Sequence, residues 1–174
     1  LLHILNSAGT VCYDVPNSNM RRVGISLYGL YPDFPQDIEF KKPKLKQLIS
    51  LKARIVNIHT AHDGEGISYC HTYSAKGDRT IATIPAGYAD GIPRLLSNKI
   101  KASLNGVEVP QVGNITMDQM MFDITGVNAQ IGDVITLLDT KHPIDEWAKI
   151  LKTINYELTC RLKVRLPRVY TRGE

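Results

Sequence analysis

Three tyrosines mark the stretch with the strongest claim to chemistry, Ile67 to Arg94, which reads ISYCHTYSAKGDRTIATIPAGYADGIPR. Tyr69 and Tyr73 stand in a short run ahead of the polar turn Lys76-Gly77-Asp78-Arg79. Tyr88 follows an apolar run, Thr80 to Ala86, that breaks at Gly87-Tyr88-Ala89-Asp90-Gly91. Period-two alternation and β-branched content predict a strand in each run. Asp90-Gly91 marks a tight turn, because glycine tolerates the positive φ that such turns demand. A tyrosine lodged between a glycine and a turn, at the end of a strand, is held at an edge that ligands can reach. The plainer reading is that strand tyrosines pack on the sheet with the hydroxyl at the surface. Pattern alone favours the plainer reading.

Other reactive types are weaker still when taken singly. His59 and His62 flank a loop with Asp63 and Glu65. Loop His and Asp are ordinarily solvated, and no H-x-x-x-H pair sits on a helix, so no metal is expected. Arg22 alone reads as a surface charge beside a strand, Ser7 as a helix cap and Gly24 as a packing glycine. Cys12, Cys70 and Cys160 are odd in number, far apart and without C-x-x-C. That argues against a disulfide framework or a zinc site and for a reducing cytoplasm.

At 174 residues, 43% hydrophobic and 22% charged, the composition is ordinary for a soluble globular protein with a real core. A net charge of +4 is mild, and the one basic cluster, Lys41, Lys42, Lys44 and Lys46, sits in a proline-flanked segment. Nucleic-acid tracts are denser and interleaved with aromatics, so this segment reads as a solvated linker and no nucleic-acid partner is expected. No apolar run approaches the roughly 18 residues of a membrane span. Leu-Leu-His-Ile-Leu at the start, without Met or a basic lead-in, does not resemble a signal peptide and reads as cut from something longer.

The elements that must position these residues change in texture along the chain. Residues 1 to about 35 have an α/β rhythm: a strand at Leu1–Leu5, a helix around Ala8–Tyr13 and a strand at Arg22–Leu30 entering a glycine-marked bend. Two strands and one helix cannot close a sheet. Pro32, Pro35 and Pro43 then give linker composition. From about Leu48 short strands recur at Ile49–His59, Ile67–Tyr73, Thr80–Pro85, Ile100–Leu104, Val107–Val112, Met120–Ile124 and Val134–Leu138. Asn105-Gly106 predicts a two-residue hairpin. A helix fits Ile144, Trp147, Ala148, Leu151 and Ile154, with Pro143, Asp145 and Glu146 at its start. A last strand, Leu158–Val169, alternates Leu162, Val164 and Leu166 with Arg161, Lys163 and Arg165. Evenly spaced short strands imply a closed or sandwiched antiparallel sheet.

The wording of Ile67–Arg94, together with Arg22-Val23-Gly24-Ile25, Leu27-Tyr28-Gly29, Val112-Gly113, Met117-Asp118-Gln119 and Ile154-Asn155-Tyr156-Glu157, resembles alanine racemase. These motifs fall in the family's order over nearly the whole chain. The resemblance implies a mainly β protein: a C-terminal antiparallel β-barrel or sandwich at 45–174, preceded at 1–44 by the tail of a pyridoxal-phosphate (PLP) binding (β/α)8 barrel and a linker. It also implies interconversion of L- and D-alanine for the peptidoglycan precursor supply. Racemisation removes the α-proton from one face and returns a proton to the other, with PLP as electron sink and bases on opposite faces.

By the resemblance, one base matches Tyr69 and the other is a PLP-binding lysine. A free tyrosine titrates near about 10, so a tyrosine base near neutrality needs help of roughly 4 kcal/mol for a shift of about three units. Arg22 matches the arginine that faces the PLP ring nitrogen and keeps it unprotonated. Ser7, Gly24, Ile25 and Tyr156 match the phosphate-binding group. Tyr88 and Met117 match the substrate side and entrance, with Arg94 and Asp118 close by. The resemblance further implies a homodimer in which the motifs bearing Tyr69, Tyr88 and Met117 reach the partner's site. Cys70 stands where the family commonly has glycine, and Asn114 where it often has a basic residue. No lysine here sits where an amine would be desolvated, so the chain by itself is expected to be inactive. A racemase of another small amino acid such as serine, and a stand-alone non-catalytic β-domain, are the alternatives.

Overall fold

The structure, a computed structural model, describes residues 1–171. Contacts divide it into two units, Leu1–Ser50 and the residues from Leu51 onward. The first unit holds helix α1, Ser7–Cys12, capped by the Asn6 side chain, which accepts from the Gly9 N–H at 2.9 Å. The strands expected at Leu1–Leu5 and Arg22–Leu30 do not form. These segments meet through isolated bonds, Asn19 N to Leu2 O at 3.0 Å and Arg22 N to Leu5 O at 2.9 Å, with no ladder. Ile25–Tyr28 instead coils into a 3-10 turn closed by Gly29 at φ 72°. A Cβ on Gly29 would lie 1.7 Å from the Lys46 carbonyl oxygen, so glycine is required there. The segment expected as a solvated linker is fastened by Tyr31. Its hydroxyl donates to Pro43 O and accepts from Leu45 N, and the Lys42 ammonium lies 4.2 Å from its ring centroid.

The second unit is a curled antiparallel sheet. Its strands are β1 (Leu51–Arg54), β2 (Asn57–Ala61), β5 (Arg79–Ile84), β6 (Lys101–Leu104), β7 (Val107–Val112), β8 (Met120–Asp123) and β9 (Val134–Leu138). They lie in the order β1-β9-β6-β7-β8-β5-β2. Two short strands, β3 (Gly66–Ile67) and β4 (Tyr73–Ser74), pair separately. The strand expected over Ile49–His59 breaks at Ile55-Val56, where successive amides turn to opposite sides. Ile55 N donates to Asp133 O and Val56 N to Thr83 O. One run thereby lies on both edges of the sheet, which leaves no long bare edge. Asn105 and Gly106 both take positive φ, 50° and 82°, the type I′ geometry that matches strand twist. Ile81, Ile84, Leu104, Met120, Phe122, Ile135 and Leu137 are fully buried between the strands.

Helix α2, Ile144–Leu151, buries Ile144, Trp147 and Ala148 and ends where Lys152 turns left-handed. Two expectations fail here. Ile67–Tyr73 is no continuous strand: Tyr69–His71 forms a 3-10 turn between β3 and β4. Leu158–Val169 is no strand either. Its first part belongs to helix α3, Asn155–Arg161, and the rest joins no strand: Lys163 N donates to Asp90 O at 3.1 Å, and Val164 is exposed. Asn155 Nδ2 donates to Asp145 Oδ1 at 2.8 Å, tying the start of α3 to α2.

Candidate functional site

Tyr69 projects from a turn of unusual backbone. Ser68, Cys70 and His71 take φ of 65°, 61° and 44°, the left-handed region that side chains disfavour. The turn is held from outside. Asn114, buried, donates from Nδ2 to the Tyr69 carbonyl at 2.7 Å, and Ser68 Oγ donates to the Asn114 carbonyl at 2.7 Å. Gly113 permits this approach: at φ 73°, a Cβ there would stand 2.6 Å from Ile67 O. The segment is braced behind by Gly113 N donating to Asn98 Oδ1 and Ile115 N to Ser97 Oγ.

Tyr88 rides a second 3-10 turn, Tyr88–Asp90, where β5 ends. Its N–H donates to Thr116 O and that of Ala89 to Met117 O, each at 3.0 Å. A Cβ on Gly87 would come 2.3 Å from Thr116 O, so the turn bearing Tyr88 and the turn bearing Met117 touch backbone to backbone. Asp90, buried, accepts from the Gly87 N–H with one oxygen and from Arg165 Nε at 2.7 Å with the other. Arg165 also donates to Asp118 Oδ1 at 2.8 Å. The bonds from Asp90 and then Asp118 hold the guanidinium proton more tightly than usual.

Arg165 was not singled out by the sequence reading. It looked like one more basic residue on the outer face of an alternating strand, and its partners lie 75 and 47 positions away. No local signal separates it from Arg168.

The two turns face a cleft of about 620 Å³ lined by Tyr69, Tyr88, Arg94, Asn114, Met117 and Asp118, among others. Tyr69 is 73% exposed and Met117 54%. In the first unit the buried Ser7 Oγ accepts from Gly24 N at 2.9 Å, which joins Ser7 to Gly24-Ile25. Arg22 donates from its guanidinium to Ile4 O at 3.1 Å. Tyr156 lies in the first turn of α3 and does not line the cleft. The carboxylates near His62 close their own loop: Glu65 accepts from His62 N and Asp63 from Gly77 N. Among the described residues no three His, Cys, Asp or Glu groups are placed to hold a metal ion. Nor is any of their helices long and apolar enough to cross a membrane.

The family model "Alanine racemase, C-terminal domain" matches residues 48–170. The chain belongs to the alanine racemase family. An alanine racemase of Nostoc sp. is 42% identical over 173 residues, which is 97% of this chain and 44% of that protein. The alanine racemase of Clostridium difficile 630 superposes with a TM-score of 0.84 at 38% identity, over 97% of this chain and 44% of that one. An alanine racemase from Bartonella henselae, solved with covalently bound pyridoxal phosphate, gives a TM-score of 0.83 at 31% identity, over 96% of this chain and 46% of that one. The chain thus spans less than half the length of the alanine racemases it matches.

Proposed function

We propose that this chain forms the C-terminal part of a pyridoxal-phosphate-dependent alanine racemase, residues 1–44 continuing its cofactor-binding barrel. The gathering of Tyr69, Tyr88 and Met117 on one open cleft, out of motifs far apart in sequence, carries the reading. Tyr69 takes and returns the α-proton on one face of alanine. Tyr88 and Met117 border the space beside it. When bound, pyridoxal phosphate withdraws the electron pair left on the α-carbon.

The first unit fits a phosphate ester. Ser7 presents a buried hydroxyl against the Gly24 amide, and nothing lies within 4 Å of where a Gly24 Cβ would be. Ser26 Oγ, buried next to Ile25, has no hydrogen-bond partner among the described residues. Ser7, Gly24 and Ile25 would hold the phosphate, Arg22 would face the ring nitrogen, and the part given to Tyr156 rests on its motif alone. The opposite base is a different matter. Every described lysine is exposed, whereas an anchoring amine must be kept neutral by desolvation. The anchoring lysine therefore comes from residues outside this chain. The functional unit is a homodimer, with the exposed Tyr69, Tyr88 and Met117 serving the partner's cofactor.

Titrating pyridoxal phosphate into this chain and into the complete protein tests the reading, with bound-cofactor absorbance and racemisation of alanine and serine as readouts. The expected result is binding and alanine turnover by the complete protein only, with serine slower. Racemisation by this chain alone would mean that one of its own lysines is the anchor, and the assignment fails.

A further inference from the structure

Among the described residues, no hydrogen bond restrains the Tyr69 hydroxyl, so the position of the ring is set by the backbone beneath it. That backbone is itself unfavourable. Three of the four residues Ser68–His71 take positive φ, and none of them is glycine. A turn of this kind persists only when its surroundings over-determine it.

One residue meets it from both sides. Asn114 Nδ2 donates to the Tyr69 carbonyl, and the Asn114 carbonyl accepts from Ser68 Oγ, both at 2.7 Å. Asn114 is 6% exposed, so its amide cannot exchange this bond for water at little cost. It is also anchored from behind, because the amides on either side of it donate to Asn98 and Ser97, at 2.6 and 2.9 Å. The brace ends on Ser97 and Asn98, just ahead of β6, and Asn114 itself stands 45 positions from Tyr69 in sequence.

We infer that Asn114 is a positioning residue for Tyr69: its buried amide clasps the Tyr69 carbonyl and thereby fixes where the phenol meets the substrate's α-proton. The inference rests on the proposed role of Tyr69 as the base for one face. A residue that only stabilised the fold would impair both faces alike. One that positions Tyr69 impairs its face alone.

The decisive variant is Asn114→Asp, which keeps the size and turns the donor into an acceptor facing the carbonyl. The Ser68 bond survives, since it goes to the backbone. Asn114→Ala removes the donor without adding charge and separates the lost bond from the new charge. Both are made in the complete racemase, beside Tyr69→Phe. The measurement is exchange of the α-proton with deuterated solvent, started from L-alanine and from D-alanine. In both Asn114 variants exchange on the Tyr69 face should fall about tenfold or more, equivalent to about 1.4 kcal/mol. The opposite face should change by less than about twofold, with KM and cofactor absorbance retained. In protein labelled with 3-fluorotyrosine, the fluorine resonance that Tyr69→Phe abolishes should broaden or shift in the Asn114 variants.

Equal losses on both faces, or no loss, with Tyr69→Phe still one-sided, would overturn the role of Asn114 and leave that of Tyr69 standing. Equal losses in Tyr69→Phe itself would overturn the proposed base, and the positioning role with it.

Discussion

Replacing Cys70 with glycine should stabilise the protein, although it deletes a side chain beside the candidate base. Cys70 holds φ 61° and ψ 7°, inside the left-handed region. For a residue with a Cβ this conformation costs about 1–2 kcal/mol, through contact of Cβ with the following carbonyl. Glycine escapes that contact but loses more backbone freedom on folding, which offsets about 0.5–1 kcal/mol. The thiol is exposed, so its removal leaves no cavity to subtract. The net gain is about 0.5–1 kcal/mol, or about 1–4 °C in Tm for a protein of this size. Thermal unfolding of Cys70→Gly and Cys70→Ala side by side isolates the cause. Alanine also lacks the thiol but keeps the Cβ, so it should gain nothing. Equal midpoints for the two variants, or a lower one for glycine, would refute the argument that the Tyr69 turn stores backbone strain.

Gly87→Ala should cost about 3 kcal/mol, because its Cβ would meet the backbone oxygens of Thr116 and Met117 at 2.3 and 2.4 Å, which cannot swing aside. Urea unfolding checks this, and a change within about 0.5 kcal/mol, the range of a neutral surface site, would contradict it. Tyr73 gives a pH signature. Burial first, then the charge of Asp123 and the hydrogen bond its carboxylate accepts at 3.2 Å, raise the phenol above its usual 10.0. The folded state therefore binds this proton more tightly than the unfolded one. Its stabilisation is complete below pH 10.0 and is lost as pH rises through the raised value. Tyr73→Phe should flatten that alkaline decline in urea midpoint, and an unchanged slope would count against it.

Local chemistry was enough for much of the second unit. Asn105-Gly106 dictates a primed turn because both residues tolerate positive φ, and the alternating runs on either side became β6 and β7. Ile144, Trp147 and Ala148 at helical spacing became the buried face of α2. Leu162, Val164 and Leu166 alternate as clearly as any strand, yet they form none. The segment meets a turn instead of a strand: Lys163 N donates to Asp90 O, and Arg165 reaches Asp90 and Asp118. Ile49–His59 reads as one strand in the sequence and contributes to two, β1 and β2. Its break at Ile55-Val56 follows from which neighbour each amide meets, which no window of sequence contains.

By itself, then, the sequence determined the residue types: the turns, the alternating faces, the helix stripe and the motifs that name Tyr69, Tyr88, Met117, Arg22 and Ser7. Those depend on interactions within a few residues, or on the wording of the motifs. Tertiary structure alone decided what holds the candidate site in place. Asn114 lies 45 positions from Tyr69, and Arg165 lies 75 and 47 from Asp90 and Asp118. A hydrogen bond acts over about 3 Å of space and is indifferent to separation along the chain, so these contacts exist only once the sheet has curled and brought the segments together.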